Sequence, residues 1–234
     1  MTFYKFLINA ARKFTKKVTF IEKTPMEPAP FIVTNHTGIS APAMFLIHYP
    51  EPLRTWSHYA FLDRHAALTH LKNNVLGRRK FGFLLYPVAV IFSHVIVWFF
   101  KRANPIPVWR GSKKITETLD LSVETKTAGV TQIIFPEKLD GPSPVLANPY
   151  LYELNRGFVY AAKAYYEKTG RPLRFYPAYS CPSLSKVVIG EPITYNPDLP
   201  MREQKESVCK YLEEKIYSLA RSLPPHKIVL PIQR

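Results

Sequence analysis

The sequence predicts an α/β fold, a single mixed sheet flanked by helices, on three observations. Short runs rich in Val, Ile and Phe alternate with stretches of helical periodicity. Several of these runs end abruptly in polar or charged residues, the way open α/β sheets deliver working side chains beyond the carboxyl ends of their strands. At 234 residues, 47% apolar and 21% charged, the chain can bury one sizeable core and is too apolar for a disordered protein.

Residues 1–17 form an amphipathic basic helix ahead of an α/β domain over residues 18–234. Phe3, Phe6, Leu7, Ala10 and Phe14 recur at three- and four-residue steps, while Lys5, Arg12, Lys13, Lys16 and Lys17 fall largely elsewhere. Such a helix suits an anionic bilayer, and its periodicity equally suits packing on the domain. It lacks the compact apolar run and cleavage site of a signal peptide. Val18–Glu22 reads as a strand, followed by a link containing Pro25, Pro28 and Pro30. Phe31–Thr34 is a β-branched run ending in Asn35-His36, a strand that delivers polar residues to its end. Thr37-Gly38 turns the chain, and a helix opens at Ser40-Ala41-Pro42, with Ser40 as its expected cap.

The segment 81–100 contains no Asp, Glu, Lys or Arg and is long enough for a hydrocarbon core of ~30 Å. Pro87, Ser93 and His94 interrupt it, and basic residues bracket it on both sides, so orientation bias has nothing to choose between. It is expected to be a helix or kinked pair sunk into one leaflet with Trp98 near the headgroups; a buried core helix is the alternative. Strands follow at Ile106–Val108 and Thr131–Phe135, with a helix from Lys114 between them. A loop containing Gly141, Pro142, Pro144 and Pro149 leads to a helix over 156–169 that Gly170 terminates. Strands over 174–179 and 185–189 precede a long amphipathic helix over 200–223.

Charge narrows the partners. Thirty-two Lys and Arg against seventeen Asp and Glu give +15, a field that favours anionic membrane, nucleic acid or CoA-like phosphorylated molecules. Aromatic residues set beside basic ones favour the membrane surface, and no nucleic-acid recognition motif is present. Cys181 and Cys209 form no CxxC pair and have no clustered His, so no metal site is expected and a reduced, cytoplasmic compartment is the natural setting.

Three strand ends carry the candidate chemistry: Asn35-His36, Arg110 after 106–108, and Glu137 after 131–135. A histidine, an arginine and a carboxylate placed this way suit an anion-handling pocket with a base. VTNHTGISAP around His36 resembles the first motif of the glycerophospholipid acyltransferase family, in its lysophosphatidic acid acyltransferase-like branch. IPVWRGS, IIFPEKLDG, RFYPAY and VVIGEPI resemble the motifs that follow, in the same order, across roughly residues 18–223. The resemblance implies a membrane-associated enzyme at the cytoplasmic face. It would move an acyl chain from acyl-CoA or acyl carrier protein, as co-substrate rather than bound cofactor, to a lysophospholipid or glycerol-phosphate-type acceptor. It implies His36 as general base and a substrate-binding set of Asn35, Arg110, Gly111, Pro136 and Glu137, with Arg110 on phosphate. Anionic membrane lipids would be the other partner.

Two positions depart from the family pattern. Ala41 stands where the family has the Asp that orients the histidine; disabling the analogous Asp of a serine-protease triad costs on the order of 10⁴-fold in rate. Lys138 stands where Gly is usual, followed by Leu139-Asp140. Asp63 and Glu137 are the carboxylates that could substitute, although Asp63 suits a surface ion pair with Arg64 as well. A catalytically impaired protein that binds lipid or acyl donor as a scaffold is the alternative that Ala41 favours.

Overall fold

The computed structural model describes residues 3–71, 86–109, 114–139 and 144–231. The chain divides into two compact units, Met1–Thr55 with Leu119–Arg234, and Trp56–Thr118.

In the first unit, helix α1 (Phe3–Phe14) leads to strands β1 (Thr19–Glu22) and β2 (Phe31–Thr34), then helix α2 (Ser40–His48). Every residue of β2 is buried, because the strand lies between two others and is covered on both faces. Strand β3 (Leu53–His58) begins here: its residues 53–55 pair with β5 (Thr131–Ile134), and its residues 56–58 pair within the second unit with β4 (Ile106–Val108). Helix α5 (Ile115–Thr127), of which this unit holds the residues from Leu119 onward, precedes β5, and a short antiparallel pair, β6 (Leu146–Asn148) and β7 (Leu151–Tyr152), follows it. Helix α6 (Tyr160–Thr169) ends at Gly170, whose φ of +68° places it in the left-handed region that glycine reaches without strain. Strands β8 (Arg174–Cys181), β9 (Lys186–Ile189) and β10 (Ile193–Thr194) lead to helix α7 (Met201–Arg221).

The strand order in this unit is β1-β9-β8-β2-β5-β3, with β10 on β8. Pairs β1·β9, β8·β2, β2·β5 and β5·β3 are parallel, while β9 and β10 run antiparallel to β8, so the sheet is mixed as expected. One face carries Ile32, Ile133, Tyr176, Ala178, Val187 and Ile189 against Met44 and Phe45 of α2 and Tyr49 at its carboxyl end. The other face receives α7, which buries Val208, Leu212 and Ile216. There Phe175 meets Phe31 and Phe158 edge to face at 5.1 and 5.3 Å. On α5, Ser122 closes a two-bond ring with Gln132 of β5.

The amphipathic start of the chain splits its apolar arc. α1 packs on α2, with Tyr4, Leu7, Ile8 and Ala11 half-buried and Arg12 Nε donating to the Ile47 carbonyl at 2.8 Å. Phe3, Phe6 and Phe14 stay exposed, Phe14 at 90%.

In the second unit a 3-10 turn (Tyr59–Phe61) and helix α3 (Arg64–Leu71) pack with helix α4 (Tyr86–Ala103). From Tyr86 to Ala103 α4 runs as one continuous helix. Ser93 and His94 turn back onto the Val90 carbonyl at 2.7 and 2.8 Å, so their polar groups are satisfied within the helix. Residues 81–85 of the expected apolar segment lie outside the described residues. Ala89, Ser93 and Val97, at four-residue steps, are buried, whereas Val88, Ile91, Phe92 and Val95 face outward, Ile91 at 67% exposure. α4 is long and apolar enough to cross a membrane by length and composition.

Candidate active site

Because β2, β5 and β8 are parallel neighbours, their carboxyl ends lie along one edge of the sheet. Asn35 and His36 leave β2 there, Phe135, Pro136 and Glu137 leave β5, and Ser180 is the last residue but one of β8. Asn35 is almost wholly buried, and its side chain joins two strands. Its Oδ1 accepts the Ser180 N–H at 2.7 Å, and its Nδ2 donates to the Ser180 carbonyl at 3.1 Å. Thr34 adds a hydroxyl shared with Ser180 Oγ at 3.0 Å. The amide therefore fixes the strand end from which the histidine projects.

His36 stands beyond that clamp with its ring edge-on to Phe135 at 5.4 Å. Burial pushes its pKa below 6.5, which favours the neutral imidazole. Its Nδ1 is buried and without a hydrogen-bond partner, and so is the hydroxyl of Thr37. After Thr37 the chain reverses at Gly38, φ +61°, and Ser40 N–H donates to the Thr37 carbonyl at 3.2 Å. That turn overrides the expected cap. Ile39, already in the right-handed helical region, holds the cap position of α2, and Ser40 lies inside the helix without a side-chain cap bond. Ala41 is fully buried and offers only a methyl group where the family pattern has a carboxylate.

Glu137 is brought to His36 through the backbone. Its Oε2 accepts the His36 N–H at 3.2 Å, and its Oε1 accepts the Tyr152 N–H at 3.4 Å. Exposure is 2%, and burial pushes its pKa up to about 8, with the two N–H donors working the other way. The surrounding segment is tied down by two further hydrogen bonds, Asn155 N–H to the Pro136 carbonyl and Lys138 N–H to the Glu153 carbonyl, both at 2.7 Å, which together make the antiparallel bridge between Glu137 and Leu154. Pro136 is thus a buried structural element of the strand end, and the side chain of Lys138 is exposed.

His36 and Glu137, 101 residues apart, are brought into contact, with Asn35 as the clamp beside them. Arg110 and Gly111 lie outside the described residues. Asp63 belongs to the second unit, where its Oδ1 accepts the Ala66 N–H at 2.8 Å and caps α3. Sequence reasoning singled out neither Thr37, Ser180 nor Tyr152. Thr37 adjoins His36 and was within reach of inspection, whereas Ser180 and Tyr152 become neighbours only through strand order. No group of three or more potential metal ligands occurs among the described residues.

The fold is α/β, a mixed sheet flanked by helices with a histidine and a carboxylate at one strand-end edge. No family model matches the chain, and no curated protein matches it. Among solved structures the chain is similar to the 1-acyl-sn-glycerophosphate (LPA) acyltransferase, PlsC, from Thermotoga maritima. Identity is 13%, 92% of this chain and 81% of that one are covered, and the TM-score is 0.47.

Proposed function

We propose that the chain is a membrane-associated acyltransferase acting on a lysophospholipid or glycerol-phosphate-type acceptor, with His36 as general base. The observation that carries this reading is the hydrogen bond from the His36 backbone to the Glu137 carboxyl, which unites the NHTG and FPE segments at the strand-end edge. His36 Nε2 takes the proton of the acceptor hydroxyl as that oxygen attacks the thioester carbonyl. The C–O bond forms, the C–S bond breaks, and the departing thiolate takes the proton back from the imidazolium. A pKa below 6.5 keeps the imidazole neutral and free to accept a proton through neutral pH, so the acid limb of turnover is expected below 6.5. Glu137 and, by the motif resemblance, Arg110 and Gly111 bind the acceptor, with Asn35 and Pro136 holding the loops. The donor is acyl-CoA or acyl carrier protein.

Membrane association is supported by two open apolar faces. Phe3, Phe6 and Phe14 project from α1, whose sequence carries Lys5 and Lys13 and is followed by Lys16 and Lys17. Val88, Ile91, Phe92 and Val95 project from α4. Aromatic and aliphatic groups bordered by lysines suit the anionic cytoplasmic leaflet.

The test is acyl transfer by purified protein on anionic vesicles, with labelled acyl-CoA or acyl carrier protein and a panel of lysophospholipids. His36→Ala is expected to lower turnover by roughly 10²- to 10⁴-fold. The buried Ala41, which leaves the imidazole without a carboxylate at that position, favours a second reading, a lipid- or donor-binding scaffold. Binding of lipid without turnover for any donor–acceptor pair would decide for it.

A further inference from the structure

Two buried polar atoms at the strand-end edge have no protein partner, and they belong to consecutive residues: His36 Nδ1 and Thr37 Oγ1. Thr37 is 3% exposed. Buried hydroxyls and ring nitrogens left without any partner lose free energy comparable to their desolvation, so such atoms are normally met by protein or by ordered water. Nearby protein candidates are already engaged. Glu137 takes two backbone N–H groups, the Asn35 amide is held by Ser180 and Thr34, and Ala41 has nothing to offer. The turn from Thr37 to Ser40 confines both residues to the short link between the end of β2 and the foot of α2.

We propose that one buried water, held jointly by His36 Nδ1 and Thr37 Oγ1, orients the imidazole, which makes Thr37 a positioning residue. A buried water needs two to four polar partners, and these two atoms supply the minimum. With Nδ1–H donating to the water oxygen, Nε2 carries the free lone pair and is the basic nitrogen. Thr37 fixes the water, and through it both the tautomer and the direction of the ring. The catalytic consequence rests on the acyltransferase reading; the tautomer itself does not.

The experiment therefore measures both in wild type, Thr37→Val and Thr37→Ser. Nitrogen-15 NMR of the His36 imidazole reports tautomer and pKa in the resting protein, and kcat, KM and the pH profile are taken in vesicles. Wild type and Thr37→Ser should show one dominant Nδ1–H tautomer. Thr37→Val, of nearly the same shape, should show a mixture, a displaced acid limb, and kcat lowered roughly 10- to 100-fold at little-changed KM, less than the ~10⁴-fold of a disabled triad carboxylate. An Nδ1–H tautomer unaltered by Thr37→Val overturns the proposal, as does a tautomer that becomes fixed only when lysophospholipid is added. Should the wild type show no turnover, the acyltransferase reading falls, and the NMR comparison still decides whether Thr37 holds the water.

Discussion

Glu137 combines 2% exposure, two backbone N–H donors and a pKa pushed up to about 8 by burial, against an ordinary value of 4.5. The folded chain thus holds this proton more tightly than the unfolded chain does. Stability from this group is complete below pH 4.5, falls as pH rises towards 8, and is level above it. At 1.36 kcal/mol per decade, the loss is roughly 5 kcal/mol above pH 8 and roughly 3 kcal/mol at pH 7. Glu137→Gln cannot ionise and keeps an oxygen for the His36 N–H. It cannot accept the Tyr152 N–H at 3.4 Å, a loss of about 1 kcal/mol. Urea unfolding of both proteins at pH 5, 7 and 9 isolates the effect, since the other titrating groups cancel in the difference. The variant should be about as stable as wild type at pH 5, and the difference should move by roughly 4 kcal/mol in its favour by pH 9. A difference that stays within about 1 kcal/mol across the range would mean that Glu137 ionises normally and that burial does not control it.

Asn35→Ala would strand the buried N–H and carbonyl of Ser180 and is expected to lower unfolding stability by roughly 2–4 kcal/mol, read from the same urea curves. Gly170→Ala meets open space for its Cβ but must adopt φ +68°, so a loss of about 1 kcal/mol from backbone strain alone is expected. Ile91→Lys and Val95→Lys place charges on the open face of α4 and should reduce retention on anionic vesicles in a flotation assay, while leaving urea stability within about 0.5 kcal/mol.

How far the sequence could be read depended on the range of the interactions. β2 and β5 are short β-branched runs with turn signals at their ends, and Gly170 marks the end of α6; these signals are local and were legible. β3, Leu-Arg-Thr-Trp-Ser-His, carries Arg and His among its apolar residues, and its burial comes from β5 and β4 rather than from its own pattern. It escaped notice, as did the β6–β7 pair inside a stretch read as a Gly/Pro-rich loop. Ser40 misled because a serine before a helix is normally its cap, and here the turn from Thr37 had already wound the backbone. His36 and Glu137 stood out by chemistry and by strand-end placement. That Glu137 would hold the backbone of His36 rather than its ring, and that Asn35 would turn into β8, depended on partners 101 and 145 residues away.

That distance along the chain also governs how the protein is made. β2 lies between β5 and β8, and its clamp partner Ser180 is synthesised 145 residues after Asn35. At ribosomal rates of 5–20 residues per second, the apolar Phe-Ile-Val-Thr strand waits roughly 7–30 s for that neighbour. Only α2, which follows at once, is available early, and it covers one face. Until β5 is made the nascent chain presents a strand unpaired on both edges, and until β8 follows it one edge stays open, the form most prone to wrong pairing. Yield in cells should therefore respond to elongation speed and chaperone supply more than the finished fold's stability would suggest.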